Sequence, residues 1–247
     1  MADEIRLWRV GPNNHLSEIR HASLDLEARL EEWLARDISI LDPALLIIGR
    51  QVETDFGGHI DLLCIDMAGD LVAVELKRDK TPREITAQVL DYGSWVADLS
   101  NESVTRIAET YLRDIGFAQA FRDRFGTDVP DTLNSDHRML VVGAQIDASS
   151  ERIITYLSEK HGVNINAATF QYFRAVDGAE FLARVFLIEP SAVEVHSRSR
   201  GTSKRRPNLT YGELEQLADE AGVGDLYRYA VSSLETCLRK HTTRSSI

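Results

Sequence analysis

Residues 57–79, GGHIDLLCIDMAGDLVAVELKRD, decide the fold of this chain. Two mostly apolar runs, HIDLLCID at 59–66 and LVAVELK at 71–77, are joined by MAGD at 67–70, whose composition is typical of a tight turn. Apolar residues fall on both alternating sets of positions, which predicts strands that are buried on both faces. The stretch therefore predicts a β-hairpin whose two strands both lie within the core.

Asp61, Glu75 and Lys77 interrupt the apolar pattern of this hairpin. Because side chains alternate along a strand, Glu75 and Lys77 point to the same face. Burial of an acid beside an amine carries a large desolvation cost, which is usual at functional sites and unusual in cores. A buried structural ion-pair network is the alternative interpretation of the same three residues.

Helical and extended patterns alternate on both sides of the hairpin. Upstream, an apolar stripe predicts a helix over 24–36 and residues 45–52 resemble a strand, whereas residues 1–22 are weakly patterned. Downstream, Pro82 suits the first turn of a helix that runs to about residue 98. The later predicted elements are a helical stretch 102–125, a strand 138–144, a helix 149–161, and strands 164–175 and 180–188. This order predicts an α/β fold with a mixed sheet flanked by helices.

The sequence predicts three regions: a compact domain over 1–195, a basic linker over 196–209, and a small helical segment over 210–247. The linker is rich in serine and contains a cluster of basic residues without acids: Arg198, Arg200, Lys204, Arg205 and Arg206. Its composition is typical of a solvated linker. A phosphate-contacting arm is the alternative interpretation.

Composition limits the cellular setting and the electrostatics. The 247 residues contain no apolar run of the length that a membrane helix needs, and the acidic N-terminus lacks a signal-peptide pattern. The two cysteines, Cys64 and Cys237, have no CxxC spacing, so we expect reduced thiols in a cytoplasmic protein that does not contact a membrane. The net charge of −11 does not favour nucleic-acid binding by the whole surface.

The polar residues of the hairpin suit metal-dependent phosphodiester hydrolysis, which needs hard oxygen ligands for a divalent cation. Carboxylates on adjacent strands, Asp61 and Glu75, could bind one Mg²⁺ or Mn²⁺ ion, with the Leu76 carbonyl as a further ligand. Lys77 could orient the attacking water and stabilise negative charge on the phosphoryl group. Gln88, on the following helix, is long enough to contact the same cluster.

The motif formed by Asp61 and Glu75-Leu-Lys77 resembles that of the PD-(D/E)XK nuclease superfamily, whose frame is helix–strand–strand–strand–helix. The same stretch followed by AQVLDYGSWV at 87–96 is similar to the catalytic domain of NucS/EndoMS-type endonucleases. The resemblance implies a restriction-endonuclease-like fold, metal ligation by Asp61 and Glu75, and a catalytic Lys77. It also implies supporting roles for Gln88 and for Glu27, an acid on the first helix.

The predicted function is therefore a divalent-metal-dependent endonuclease that hydrolyses DNA, and the resemblance implies DNA repair on single-stranded, branched or mismatched substrates. Arg78, Lys80 and Arg83 beside the motif are candidate phosphate contacts, although a solvated face explains them nearly as well. An enzyme that cuts both strands at once is expected to be a homodimer. The alternative function is a non-catalytic module that binds nucleic acid or protein on a nuclease-like fold.

Overall fold

The computed structural model describes residues 5–22, 26–76, 82–201, 218–219, 222–228 and 231. For residues 26–28, 82–83 and 198–201 the description covers the backbone alone. The chain divides into two compact units, Met1–Arg200 and Gly201–Ile247. The fold presented below is that of the first unit.

A mixed β-sheet forms the centre of this unit. Its strands are β1 Leu7–Val10, β2 Leu16–His21, β3 Leu45–Glu53, β4 His59–Asp66, β5 Leu71–Leu76, β6 His137–Gly143, β7 Ile165–Arg174 and β8 Glu180–Phe186. They are ordered β1-β2-β7-β6-β5-β4-β3, and β8 also pairs with β7. The β3–β4–β5 meander is antiparallel, whereas β5–β6 and β6–β7 are parallel. The predicted α/β fold with a mixed sheet is confirmed.

Helices cover both faces of the sheet. They are α1 Leu26–Arg36, α2 Pro82–Ala97, α3 Asn101–Tyr111, α4 Phe117–Phe125, α5 Ala148–Thr155 and α6 Pro190–Gly201. Short 3₁₀ turns lie at Pro12–Asn14 and Ile38–Ile40, and a π-helical turn at Tyr156–Lys160 continues α5. Within the described ranges, no helix combines the length and apolar character that crossing a bilayer requires.

Alternate residues of β4 and β5 belong to opposite layers of the core. Leu62 and Val74 pack in the layer that contains Leu34 of α1. Leu63 and Ala73 pack in the layer that contains α2 and α3. Complete burial of one such leucine contributes about 1.5–3 kcal/mol, so the hairpin is fixed from both sides. The predicted burial on both faces is confirmed.

Three boundaries differ from the predictions, each for a local reason. Strands β1 and β2 occupy the weakly patterned N-terminal region. The sequence does not predict them, because nearly all of their residues are exposed and show no apolar alternation. The predicted helical stretch 102–125 is broken between α3 and α4, where Gly116 has φ +82°. Helix α6 begins with Pro190 and continues to Gly201, so residues 196–201 of the predicted linker are helical.

The second unit is described at a few positions only. Residues 218–219, 224–228 and 231 are helical. The boundary between the predicted linker and the helical segment 210–247 lies outside the described residues, so it stays a prediction.

Candidate active site

Asp61 and Glu75 lie one residue beyond the last pair of the antiparallel β4–β5 register. The β4–β5 register pairs Leu63 with Ala73 and Leu62 with Val74, so its next step sets Asp61 across from Glu75. Side chains of directly opposed residues share one face of a sheet and have Cβ atoms about 4.5–5.5 Å apart. The sequence prediction that these two acids meet is consistent with this register.

The carboxylate of Asp61 accepts a hydrogen bond from the backbone of β5 at the point where the β4–β5 ladder ends. Its Oδ2 accepts a hydrogen bond of 2.7 Å from the Leu76 backbone N–H. Its Oδ1 accepts one of 2.8 Å from Nε2 of Gln51 on β3. A side chain therefore satisfies the N–H that a β4 carbonyl would otherwise bind, and the carboxylate is held in one orientation between three strands.

Glu75 is the deeper of the two acids, with 1% of its surface exposed. Every residue of β5 is buried. Val74 and Leu76 pack in the α1 layer, so Glu75 between them points toward the layer of α2. A carboxylate this far from water needs a cation or hydrogen-bond donors to offset its desolvation.

The backbone carbonyl of Leu76 faces the same side as its N–H. In a β-ladder the N–H and C=O of one residue bond the same neighbouring strand. Because the Leu76 N–H reaches Asp61, its carbonyl oxygen also faces β4. The ligand set predicted from the sequence, two carboxylates and one carbonyl, is therefore compatible with the strand geometry.

Gln88 lies on the inner side of α2 and is half-buried. Its Nε2 donates a short hydrogen bond to the hydroxyl of Tyr92, one helical turn later. The ring of Tyr92 covers Gly58, where an added Cβ would lie 2.6 Å from Cε1 of the ring. This contact connects α2 to the residue that precedes β4, and so fixes the helix carrying Gln88 against the start of the strand carrying Asp61.

The β3–β4 turn is also tied to α2. Its ends are closed by the Thr54 N–H, which donates to the Gly58 carbonyl at 2.8 Å. Nε1 of Trp95 donates to Oδ2 of Asp55 at 3.1 Å. These bonds limit the movement of the turn that leads into Asp61.

For several predicted site residues, the structure describes either nothing or the backbone alone. Lys77, Arg78 and Lys80 lie entirely outside the described residues. Glu27 is in α1 and Arg83 is in α2, and only their backbone is described. The roles assigned to these five residues stay predictions.

Glu31 departs from the sequence pattern of α1. At about 100° per residue, the helical wheel places Glu31 farther toward solvent than Glu27. In the structure it is 8% exposed, and its Oε1 accepts hydrogen bonds of 3.2 and 2.9 Å from Nε and Nη2 of Arg50. The reason is tertiary, because Arg50 extends from β3 and draws the acid inward.

Sequence reasoning missed Gln51. It lies on β3 across from Asp61, between the Arg50–Leu62 and Val52–Ile60 pairs. Its φ of +51° is left-handed, a conformation that a glutamine seldom adopts. Neither its residue type nor its neighbours indicate such a turn, so no sequence signal could have found it. Strained backbone of this kind is concentrated at functional sites.

The donor set suits a hard divalent cation. Carboxylate and carbonyl oxygens are the ligands that Mg²⁺ and Mn²⁺ prefer. Within the described ranges, no group of three or more His, Cys, Asp or Glu side chains could hold a metal ion. The candidate ligand set of Asp61, Glu75 and the Leu76 carbonyl therefore stays a prediction.

One acid and one thiol near the hairpin have structural roles. Oδ1 of Asp66 accepts hydrogen bonds from the backbone N–H groups of Ala68 at 2.9 Å and Asp70 at 3.1 Å, which shapes the turn. Burial raises the pKa of Asp66 above its usual value. Cys64 is a buried free thiol, and burial raises its pKa as well, so it stays protonated. Cys237 lies outside the described residues.

No protein-family model matches the chain, and no curated protein matches it. Two solved structures are similar over part of its length. A repair endonuclease from Pyrococcus abyssi is 15% identical with a TM-score of 0.34, and the match covers 59% of this chain and 48% of that one. The EndoMS–dsDNA2 complex is 16% identical with a TM-score of 0.35, and the match covers 66% and 64%. The chain thus spans about half of the first structure and just under two thirds of the second.

Proposed function

We propose that this chain is a divalent-metal-dependent endonuclease that hydrolyses phosphodiester bonds in DNA. The observation that carries the proposal is the Asp61 carboxylate at the end of the β4–β5 ladder, opposite the buried Glu75. Packing alone gives no reason for acids here, because the neighbouring residues of both strands are apolar and buried. Two fixed carboxylates on adjacent strands are a suitable support for Mg²⁺ or Mn²⁺.

In this reaction, the residues of the site would have the following roles. Asp61, Glu75 and the Leu76 carbonyl hold the cation, which when bound supplies Lewis-acid activation of the phosphate and of water. Lys77, the next residue in the sequence, orients the attacking water and stabilises the charge that develops on the phosphoryl oxygens. Gln88, positioned by Tyr92, contributes a polar contact from α2.

The proposed substrates are single-stranded, branched or mismatched DNA, with a role in repair. The resemblance of residues 57–96 to NucS/EndoMS-type catalytic domains supports this class. Arg78, Lys80 and Arg83 are proposed to contact phosphates next to the cut, where an acidic protein needs local positive charge.

The decisive experiment compares wild-type, Glu75→Gln and Asp66→Asn proteins on labelled single-stranded, forked, mismatched and perfectly paired DNA with Mg²⁺ or Mn²⁺. We expect Glu75→Gln to lower the cleavage rate by at least about 10²- to 10³-fold, because it removes a charged ligand while retaining shape. Asp66→Asn is the matched control, since it neutralises an acid of the same hairpin that shapes the turn and pairs with Arg138 at 3.8 Å. EDTA should stop wild-type cleavage, and added Mg²⁺ should restore it.

Full cleavage by the Glu75→Gln protein would refute the assignment. The non-catalytic alternative predicts a different pattern, in which the protein binds DNA with a steep salt dependence but cuts none of the four substrates with either metal.

A further inference from the structure

A groove of about 600 Å³ lies between the edge strand β3 and helix α3. Its polar lining comprises Arg50, Gln51, Arg106, Thr110, Tyr111 and Arg113. Val52 and Ile107 provide an apolar floor. The groove thus combines guanidinium groups, one aromatic ring and a small apolar surface.

The charge of the groove is opposite to that of the chain. The chain has 39 acidic against 28 basic residues, yet none of the described residues that line the groove is acidic. Arg106 and Arg113 are exposed, and neither side chain has an ion pair with any residue in the described ranges. Arg50 is held by Glu31, but 43% of its side chain remains exposed. A groove of this composition complements a polyanion, and guanidinium groups suit phosphate oxygens in particular.

Tyr111 adds a surface on which a base could stack. It lies at the C-terminal end of α3 and is 38% exposed. Aromatic rings beside a positively charged groove are the usual means of binding an unpaired strand, because every base has a face that can stack. Partial burial raises the pKa of Tyr111, so the ring carries no negative charge that would repel a nucleic acid.

Gln51 joins this groove to the candidate active site. It lines the groove, and its Nε2 lies 2.8 Å from Oδ1 of Asp61. A strand lying along the groove would therefore lead directly to the two carboxylates.

We infer that the groove between β3 and α3 binds a single DNA strand on its way to the active site, with Arg106 and Arg113 on phosphates and Tyr111 stacked on an unpaired base. The link to cleavage rests on the proposed function. Binding to the groove can be measured without any cleavage.

The test measures fluorescence anisotropy of a labelled single-stranded oligonucleotide in EDTA, using the Glu75→Gln protein as the parent. Arg106→Ala and Arg113→Ala should each weaken binding several-fold and make the negative slope of log K against log salt shallower by about 0.7, as expected for the loss of one phosphate contact on a single strand. Tyr111→Leu should weaken binding about 5- to 100-fold, whereas Tyr111→Phe should bind like the parent.

Arg36→Ala is the matched control, because Arg36 is exposed on α1 and pairs with Glu32 away from the groove. Binding of the arginine variants that equals that of this control would overturn the inference. Equal losses for Tyr111→Phe and Tyr111→Leu, or equal affinity for a blunt duplex, would overturn the stacking of an unpaired base. If these variants lose binding but the wild-type protein cleaves nothing, the groove proposal is supported and the proposed endonuclease function is refuted. The two proposals can therefore fail separately.

Discussion

Asp61 joins three strands through one carboxylate, since it belongs to β4 and accepts hydrogen bonds from Gln51 on β3 and Leu76 on β5. Its structural and chemical roles can be separated by two substitutions. Asparagine can still accept from the Leu76 N–H, and its NH2 can donate to Gln51 once the Gln51 amide turns over, but it carries no charge. Alanine removes the acceptor as well.

We therefore expect Asp61→Asn to fold with nearly wild-type stability and to lose cleavage, whereas Asp61→Ala loses cleavage and about 1–3 kcal/mol of unfolding free energy. Urea denaturation and a cleavage assay on the same preparations measure the two effects. Normal cleavage by Asp61→Asn would show that the charge has no catalytic role.

Gly58 is expected to tolerate no side chain. A Cβ there would lie 2.6 Å from the Tyr92 ring, which is buried and cannot move aside freely. Gly58→Ala should lower the unfolding free energy by about 1–3 kcal/mol. Gly11→Ala is the control, since its added Cβ would meet its nearest atom at 3.4 Å. Thermal denaturation compares them, and equal stabilities would contradict the packing described.

The ionisation of Asp66 and that of Asp37 should change the free energy of unfolding in opposite directions as the pH changes. Burial raises the pKa of Asp66, so its ionised form destabilises the fold above that pKa, and the destabilisation disappears as pH falls below the unfolded value. Hydrogen bonds from the Ser39 hydroxyl and backbone N–H lower the pKa of Asp37. Its contribution is therefore present above the unfolded pKa and lost as pH falls through the folded one.

Asp66→Asn should accordingly be more stable than wild-type protein at neutral pH, with a difference that shrinks toward pH 3. Asp37→Asn should be less stable at neutral pH, and its difference should shrink on acidification. Denaturation midpoints measured across this pH range test both signs. Parallel curves for the two variants would contradict the assignment.

At the scale of elements, the accuracy of the sequence prediction follows burial. Strand β4 has the predicted limits, His59–Asp66, because the apolar runs and the turn around Gly69 leave one arrangement. Strands β1 and β2 were missed because their residues are mostly exposed. The break before α4 depends on the left-handed Gly116, whose conformation the apolar pattern does not encode.

The candidate site shows the same division. The sequence placed Asp61 and Glu75 in one hairpin, and the β4–β5 register, extended by one pair, is consistent with a position opposite each other. The inward turn of Glu31 and the left-handed Gln51 depend on tertiary contacts made by β3, which no local pattern records.

The Arg50–Glu31 pair ties α1 to β3 and should stabilise that contact. Arg50→Ala leaves the buried Glu31 carboxylate with one partner fewer, so we expect a loss of about 1–3 kcal/mol of unfolding free energy. Adding Glu31→Gln should recover part of the loss, because the buried charge is then gone. A double-mutant cycle in urea measures the coupling, and additive effects would show that the pair contributes nothing.

For the whole molecule, the contrast between a net charge of −11 and a basic groove is the main electrostatic feature. Long-range repulsion of DNA by the acidic surface should make binding stronger through the groove than through any nonspecific contact. A homodimer and a cytoplasmic location stay predictions from the sequence.

Strand β3 is the last strand at one end of the sheet. An exposed edge strand can pair with a strand of another chain, which leads to aggregation. The left-handed Gln51 and the register shift between Ile47 and Gly49 interrupt the regular row of N–H and C=O groups along that edge. A foreign strand would find few matching partners there. The kink that brings an amide to Asp61 thus also hinders edge-to-edge pairing with a strand of another chain.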